Sequence, residues 1–320
     1  MIAAVKITAA SRLHFGLIAW GSGVQRQFGG AGVMVAPPTT TLELAAASHF
    51  SVAGKAAERV AQFAAAWQRF VGQPRLPPYR FTVTALPDSH VGLGSGTQLG
   101  LCVARALYAL HGTHELSANT LAASVGRGLR SAVGTHGFLK GGLIIDQGQS
   151  GPQSLGTLRE RCEFPSVWRF VLILLPPAQA ISGDAELQAF AKLPDVPDRH
   201  SDRLWREIDD QLLPAARAAE FDRFSESLYR FGRDAGLNFA PIQGGPYHGP
   251  HVTALVNRLR ELGVRGVGQS SWGPTVFALC PNQDRATELA ARLHSEPAAA
   301  GAQIGIAAPW NQGAILRVQT

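Results

Sequence analysis

The length and composition of this chain describe a large globular protein. Its 320 residues are 46% hydrophobic and 16% charged, which excludes intrinsic disorder and predicts two domains in one compact body. The formal net charge of +6 comes from scattered basic residues without a Lys/Arg block, so we expect no nucleic-acid partner.

The chain carries no pattern of export or membrane insertion. No apolar run reaches membrane-spanning length, and the first ten residues are interrupted by Lys6 and lack the apolar core of a signal peptide. The three cysteines, Cys102, Cys162 and Cys280, stand far apart in apolar surroundings, which is typical of reduced core residues. We therefore expect a cytoplasmic protein with no membrane partner.

The first half of the sequence alternates strand and helix patterns. Strand character occurs at 2–9, 40–47, 80–85 and 141–146. Apolar residues recur at helical spacing over 57–71, 97–111 and 117–130. Helices packed on strands in this order predict an α+β fold.

A loop-rich stretch at 147–165 predicts the domain boundary, giving domains 1–160 and 161–320. The second domain then shows a βααβ-type order. Its predicted elements are strands at 167–175 and 275–279, helices near 202–218, 221–235, 250–262 and 283–294, and short closing strands.

A glycine-rich loop before the helix at 97–111 is the most informative motif. Glycines 92, 94 and 96 occur within Pro-Asp-Ser-His-Val-Gly-Leu-Gly-Ser-Gly-Thr-Gln at 87–98. Glycine permits backbone conformations closed to other residues, and the free N–H groups and dipole of a helix start favour an anion. The loop predicts a phosphate or pyrophosphate site. The structural alternative is a tight turn capped by Ser95 or Thr97.

Two further glycine-bearing motifs lie near the ends of the chain, Arg-Leu-His-Phe-Gly-Leu at 12–17 and Gly-Gln-Ser-Ser-Trp-Gly-Pro-Thr at 268–275. With the central loop, whose residues 92–96 match the Gly-Leu-Gly-Ser-Ser of the superfamily pattern except at its last Ser, they resemble the GHMP superfamily of small-molecule kinases. The resemblance implies a GHMP-type two-domain fold, with a ribosomal-protein-like N-terminal domain and a ferredoxin-like C-terminal domain.

Within this superfamily the chain is similar to the β-ribofuranosylaminobenzene 5′-phosphate synthase family of tetrahydromethanopterin biosynthesis. The Phe28–Val33 turn, the run from Arg130 to Gly142 and the Trp-Gly-Pro of the third motif carry this likeness. It implies a homodimer that condenses 4-aminobenzoate, or a related aromatic acid, with phosphoribosyl pyrophosphate. Pyrophosphate and carbon dioxide would be released.

The resemblance also implies roles for individual residues. Pyrophosphate would be held by backbone amides and hydroxyls of the loop and by two cationic side chains: Gly92, Gly94, Ser95, Gly96, Thr97, Arg12 and Arg26. Mg²⁺ is the expected cofactor, because it bridges pyrophosphate oxygens. Asp146 and Asp88 are its candidate ligands.

Three residues are candidates for catalysis and three for substrate contact. The catalytic candidates are His14, His136 and Lys140, each with a structural alternative as a core histidine, a turn cap or a solvated lysine. The substrate-contact candidates are Ser270, Ser271 and Trp272. Trp272 would stack on the aromatic acceptor, or else pack in the core.

Gly134 helps to decide between a synthase and a kinase. Superfamily kinases that use an aspartate base resemble Ser-Gly-x-Asp ahead of a Gly-Gly pair, and here Gly134 occupies the aspartate position. No side chain at 134 can accept a proton, which favours the synthase, although some superfamily kinases also lack the residue. An ATP-dependent kinase of a small alcohol or sugar is the second hypothesis, and a nucleic-acid-binding module is the third.

Overall fold

A computed structural model describes residues 4–113, 115–151, 154–176, 190 and 192–319. Its strands form one sheet in the order β11-β1-β2-β10-β7-β9-β8, and β2 also pairs with β4 and β5. The strands are β1 Ala4–Ala19, β2 Phe28–Ala46, β3 Ser51–Gly54, β4 Tyr79–Ala85, β5 Leu143–Asp146, β6 Leu158–Cys162, β7 Arg169–Leu174, β8 Val267–Gln269, β9 Thr275–Cys280, β10 Gln303–Pro309 and β11 Ile315–Gln319.

The helices pack on this sheet, so the expected α+β fold is confirmed. They are α1 Ala57–Phe70, α2 Ser95–Leu110, α3 Ala118–Ala123, α4 Val133–Lys140, α5 Asp198–Glu207, α6 Leu213–Arg217, α7 Phe221–Leu237, α8 Ala240–Gln243, α9 Gly249–Glu261 and α10 Gln283–Leu293. A π-helical turn at Ile208–Leu212 joins α5 to α6, and a 3₁₀ turn spans Pro297–Ala299.

The β1–β2 hairpin is the central element, and it differs from the sequence prediction. Strand β1 continues to Ala19 instead of ending near residue 9, with register shifts after Ala10 and after His14. The segment Phe28–Val33, predicted as a turn, is strand because it pairs with both β1 and β5. The first motif, at 12–17, therefore lies within strand β1, where it pairs with β2.

Three other local predictions also require correction. The predicted helix at 117–130 is only α3, and the predicted turn at 134–137 belongs to α4. The loop-rich stretch at 147–165 contains β6, which pairs with β5. Residues 2 and 3 of the first predicted strand lie outside the described residues.

Three hydrophobic clusters fill the layers on the sheet. One lies under α1 and α2, a second under α5 to α7, and a third under α9 and α10. Helix α2 is buried on nearly every side. The predicted reduced cysteines are free thiols, with Cys102 and Cys280 buried and Cys162 half-buried. Among the helices of the described residues, none combines the length and apolarity needed to cross a membrane.

Candidate functional site

The glycine loop ends at the start of α2 in the way that the sequence predicts for an anion site. Gly94 is the residue before the helix and has φ 72°, a left-handed conformation that favours glycine. No side chain caps the helix, so the capping roles considered for Ser95 and Thr97 are wrong. In the first turn of α2 the Thr97 N–H donates to the Gly94 carbonyl at 3.0 Å, whereas the N–H groups of Ser95 and Gly96 precede the first hydrogen bond of the helix. They provide the donors that an anion would use.

Two of the predicted phosphate ligands have structural tasks inside the protein. The Ser95 hydroxyl donates to the Asp88 carbonyl at 3.2 Å and closes the loop on itself. A Cβ atom on Gly92 would overlap the carbonyl oxygen of Ser270, so Gly92 permits a close backbone contact with the third motif. Gly94, Gly96 and Thr97 are the loop residues still placed to meet a ligand.

Ser270 connects all three glycine-bearing motifs. Its hydroxyl accepts a hydrogen bond from the His14 N–H at 3.0 Å and donates one to the Gly92 carbonyl at 2.8 Å. Ser270 is fully buried, so its side chain positions the other two motifs and does not face a substrate. Ser271, also predicted to bind substrate, is exposed, and its N–H donates to the His14 carbonyl at 3.1 Å.

Three arginine side chains surround the open side of the loop. A Cβ atom on Gly94 would lie 3.4 Å from Nε of Arg12. A Cβ atom on Gly96 would overlap Nη2 of Arg59 and lie 3.7 Å from Nη2 of Arg127. Arg59 is held there by a 2.6 Å hydrogen bond from Nη1 to the Ser89 hydroxyl. Guanidinium groups beside a helix N-terminus make a strongly positive site suited to a diphosphate.

Gly134 borders the same site from the start of α4. A Cβ atom placed on it would lie 3.3 Å from Cγ2 of Thr97, 3.5 Å from Nε2 of Gln98 and 3.6 Å from Cδ of Arg12. The Gln98 amide donates to the Gly134 carbonyl at 3.0 Å and fixes this contact. Position 134 is therefore beside the glycine loop and has no side chain to act as a base.

His14 lies next to this site, in strand β1. It is buried, and its Nε2 lies 3.0 Å from the Ser131 hydroxyl. Burial, together with the nearby charge of Arg12, holds the pKa of His14 well below its usual value of 6.5. His14 is accordingly a neutral imidazole that hydrogen-bonds Ser131, at neutral pH.

An aromatic cluster lies beyond His14 and contains the predicted substrate contact Trp272. Its members are Trp20, Phe28, Phe190, Phe239 and Trp272. The Trp272 ring is half-buried and nearly parallel to that of Phe190, with 6.1 Å between centroids. The Arg130 guanidinium lies 5.4 Å from the Phe190 centroid. The cluster offers flat apolar faces beside a cation, which suits an aromatic carboxylate.

Arg26, predicted to contact phosphate, is not brought to the glycine loop. Its Nη1 donates to the Gly148 carbonyl and to the Thr157 hydroxyl, both at 3.3 Å. It lines a separate cavity of about 460 Å³, together with Trp205 and Arg159. The phosphate role is corrected, because the β1–β2 connection carries Arg26 to the far end of the hairpin.

The catalytic roles predicted for Lys140 and His136 also do not fit their positions. Lys140 is exposed at the last residue of α4, six residues and therefore about 9 Å along the axis from Gly134. The Nε2 of buried His136 lies 2.8 Å from the Gly156 carbonyl, to which it donates. Residues two apart on a helix face different sides, so His136 points away from the side on which Gly134 meets the loop.

Asp146, the predicted metal ligand, is committed to the backbone. Its carboxylate accepts hydrogen bonds from the N–H groups of Ala132 at 2.6 Å and Gly148 at 2.9 Å. Burial raises its pKa, against the opposing effect of these bonds. Among the described residues no three His, Cys, Asp or Glu side chains form a metal-holding group. Asp146 is therefore engaged by backbone N–H groups, whereas Asp88 is an exposed carboxylate beside the loop, and Mg²⁺ stays a predicted cofactor.

Comparison with known proteins defines the class of this protein. The family model described as GHMP kinases C terminal matches residues 212–299. A putative homoserine kinase from Listeria monocytogenes has the same fold, with a TM-score of 0.69 and 15% identity over 98% of this chain and 99% of its own. Mevalonate diphosphate decarboxylase from Enterococcus faecalis gives a TM-score of 0.66 and 16% identity, with both chains fully covered. Residues 212–299 thus match the C-terminal GHMP kinase domain, and the chain has the α+β fold of these two-domain proteins.

The sequence relatives are more specific than the fold. Beta-ribofuranosylphenol 5′-phosphate synthase from Methanothermobacter thermautotrophicus is 29% identical over 87% of this chain and 89% of its own length. The protein of the same name from Archaeoglobus fulgidus is 29% identical over 86% and 87%. The chain is therefore an enzyme, and it is similar to these synthases. The boundary predicted between residues 160 and 161 stays a prediction.

The sequence analysis missed several residues of the site. Arg59 and Arg127 come from outside the three motifs, and Gln98 follows the loop as an apparently ordinary helix residue. Phe190 and Phe239 join Trp272 only through tertiary packing. No local pattern marks these residues. The one available signal was the high proportion of arginine, since only four of the 29 basic residues are lysines.

Proposed function

We propose that this enzyme transfers the ribose 5-phosphate group of phosphoribosyl pyrophosphate to the ring of a 4-substituted benzoic acid, releasing pyrophosphate and carbon dioxide. The observation that carries the proposal is the set of Arg12, Arg59 and Arg127 around a bare helix start. The names of the two archaeal relatives support a ribosylated aromatic 5′-phosphate as product. The enzyme would then act in tetrahydromethanopterin biosynthesis.

The loop and its arginines would stabilise the departing pyrophosphate. The bond between the sugar C1 and the pyrophosphate oxygen breaks, and its electron pair stays with that oxygen. The developing charge would meet the N–H groups of Ser95 and Gly96 and the guanidinium groups of Arg12 and Arg59. Prearranged donors of this kind are the largest contribution in many enzymes. Mg²⁺ would arrive bound to the diphosphate as part of the substrate, since Mg²⁺ keeps phosphate and water ligands readily.

The acceptor reaction requires no base at position 134. The ring carbon that bears the carboxylate supplies a π electron pair to form the new carbon–carbon bond with C1. The electron pair of the carbon–carboxylate bond then returns to the ring as carbon dioxide leaves. No proton is removed from a substrate hydroxyl in these steps, which accords with Gly134 lacking a side chain. A face of Trp272 would orient the ring.

The substituent opposite the carboxylate decides which product forms. Loss of carbon dioxide from 4-hydroxybenzoate gives a phenol, as in the relatives' name, whereas 4-aminobenzoate gives an aminobenzene. Both acids have the same flat ring and the same carboxylate. We propose that the enzyme takes one of this pair, with 4-aminobenzoate as the acceptor expected from the motifs.

The test is release of labelled carbon dioxide. The purified protein would be incubated with phosphoribosyl pyrophosphate, Mg²⁺ and either acid labelled at the carboxyl carbon, without ATP. We expect one pyrophosphate released for each carbon dioxide, and faster release with the true acceptor. ATP-dependent phosphorylation of a small alcohol, with no carbon dioxide from either acid, would establish the kinase in place of the synthase.

A further inference from the structure

The side chain of Arg12 runs between two glycines on separate helix starts. A Cβ atom on Gly94 would lie 3.3 Å from Cβ and 3.4 Å from Nε of Arg12, and one on Gly134 would lie 3.6 Å from its Cδ. Gly94 precedes α2, and Gly134 is the second residue of α4. Any side chain added at either position would contact Arg12.

A carboxylate at position 134 would meet several partners at once. The Arg12 side chain and the Gln98 amide lie within reach of the first side-chain atom, and the first turn of α4 favours negative charge. The position is buried, where an ion pair is screened less by solvent. An asparagine amide has the same shape and would occupy the same space, but it carries no charge to pair with Arg12.

We propose that Gly134 is a specificity-determining residue, whose missing side chain keeps the positive charge of Arg12 directed at the diphosphate of the donor. A carboxylate at this position would form an internal pair with Arg12 and replace the ligand's negative charge. This inference rests on the proposed function for the identity of the donor. The residue at position 134 then determines whether the Arg12 guanidinium binds the diphosphate or is neutralised within the protein.

The charge of Arg12 also acts on His14, which provides a measurement that needs no substrate. Arg12 contributes, after burial, to holding the pKa of His14 below its usual value. A carboxylate paired with Arg12 would oppose this contribution, so the His14 pKa would rise. A side chain at 134 that merely filled space would leave the Arg12 contribution in place.

The experiment compares Gly134→Asp with Gly134→Asn in the full-length enzyme. The variants have the same shape and differ in charge, so steric effects at Thr97 are matched. Calorimetric titration with inorganic pyrophosphate would measure anion binding, and the carbon dioxide assay would measure turnover. We expect the Asp variant to bind pyrophosphate about 100-fold more weakly than the Asn variant, as for loss of one charged donor, with a matching loss in kcat/KM. NMR titration of His14 should show a higher pKa with Asp than with Asn.

A second comparison keeps the test decisive if either variant is unstable. In an Arg12→Met background, the Asp and Asn variants should bind pyrophosphate equally, because the carboxylate has lost its partner. Equal pyrophosphate binding by the two variants in the Arg12 background would overturn the inference. Weak binding by the Asp variant alone, in an enzyme that releases no carbon dioxide, would sustain the inference and refute the proposed function. Carbon dioxide release at equal rates by both variants would do the reverse.

Discussion

The role of Ser270 can be tested by removing one oxygen atom. Ser270→Ala leaves the His14 N–H and the Gly92 carbonyl without the 3.0 Å and 2.8 Å hydrogen bonds that they make to the hydroxyl. The site is fully buried, so water cannot replace the lost partner without opening the structure. An unpaired buried polar group costs about 1–3 kcal/mol, and two such groups give an expected loss of about 2–6 kcal/mol in unfolding free energy. That loss is a large fraction of the stability of a typical protein.

The measurement is urea unfolding of Ser270→Ala beside Ser271→Ala. Ser271 is the adjacent hydroxyl and is exposed, so its removal should change the unfolding free energy by no more than about 0.5 kcal/mol. We also expect Ser270→Ala to lower kcat/KM, because the Gly92 end of the glycine loop loses its attachment to the third motif. If both variants unfold at the same urea concentration with the same slope, the hydroxyl does not join the three motifs as the structure indicates.

Three further results are expected. The unfolding free energy should fall as pH drops below about 6.5, because the unfolded chain protonates His14 while the buried imidazole resists protonation. His14→Gln should remove up to about 1.4 kcal/mol per pH unit of this slope. Identical slopes in the two proteins would contradict a lowered His14 pKa. Arg59→Ala should raise the KM for phosphoribosyl pyrophosphate about 10-fold or more. Arg69 is exposed on the same helix, and Arg69→Ala should leave this KM unchanged. Equal effects of the two substitutions on KM would count against phosphate binding at the glycine loop. Trp272→Leu should raise the KM for the aromatic acid and Trp272→Phe should largely preserve it; a Leu variant with an unchanged KM would place the acceptor elsewhere.

The motifs predicted the parts of the site that depend on local backbone chemistry. Gly94 takes the left-handed conformation before α2 that the glycine-rich loop predicted, and Trp272 lies in an aromatic cluster. Position 134, which the resemblance aligned with the aspartate of the kinases, lies beside the loop. These features can be predicted from short stretches of sequence, because a glycine or an aromatic residue constrains the local backbone and the adjacent side chains.

The parts that the sequence did not reveal depend on distant contacts. Arg26 looked suited to phosphate by residue type, but the length of β1 and β2 moves it to another cavity. Asp146 looked suited to a metal, but its oxygens accept two backbone hydrogen bonds. Residue type states what a side chain can bind, whereas the partner that actually reaches it is decided by tertiary structure.

The pairing of β11 with β1 has a consequence for synthesis on the ribosome. Residues Ala4–Thr8 pair on one side with β2 and on the other with Ile315–Gln319. At a translation rate of about 5–20 residues per second, about 15–60 s separate the synthesis of these two strands. For that interval the outer edge of β1 has its hydrogen-bonding groups exposed on the nascent chain, where another strand could pair with them.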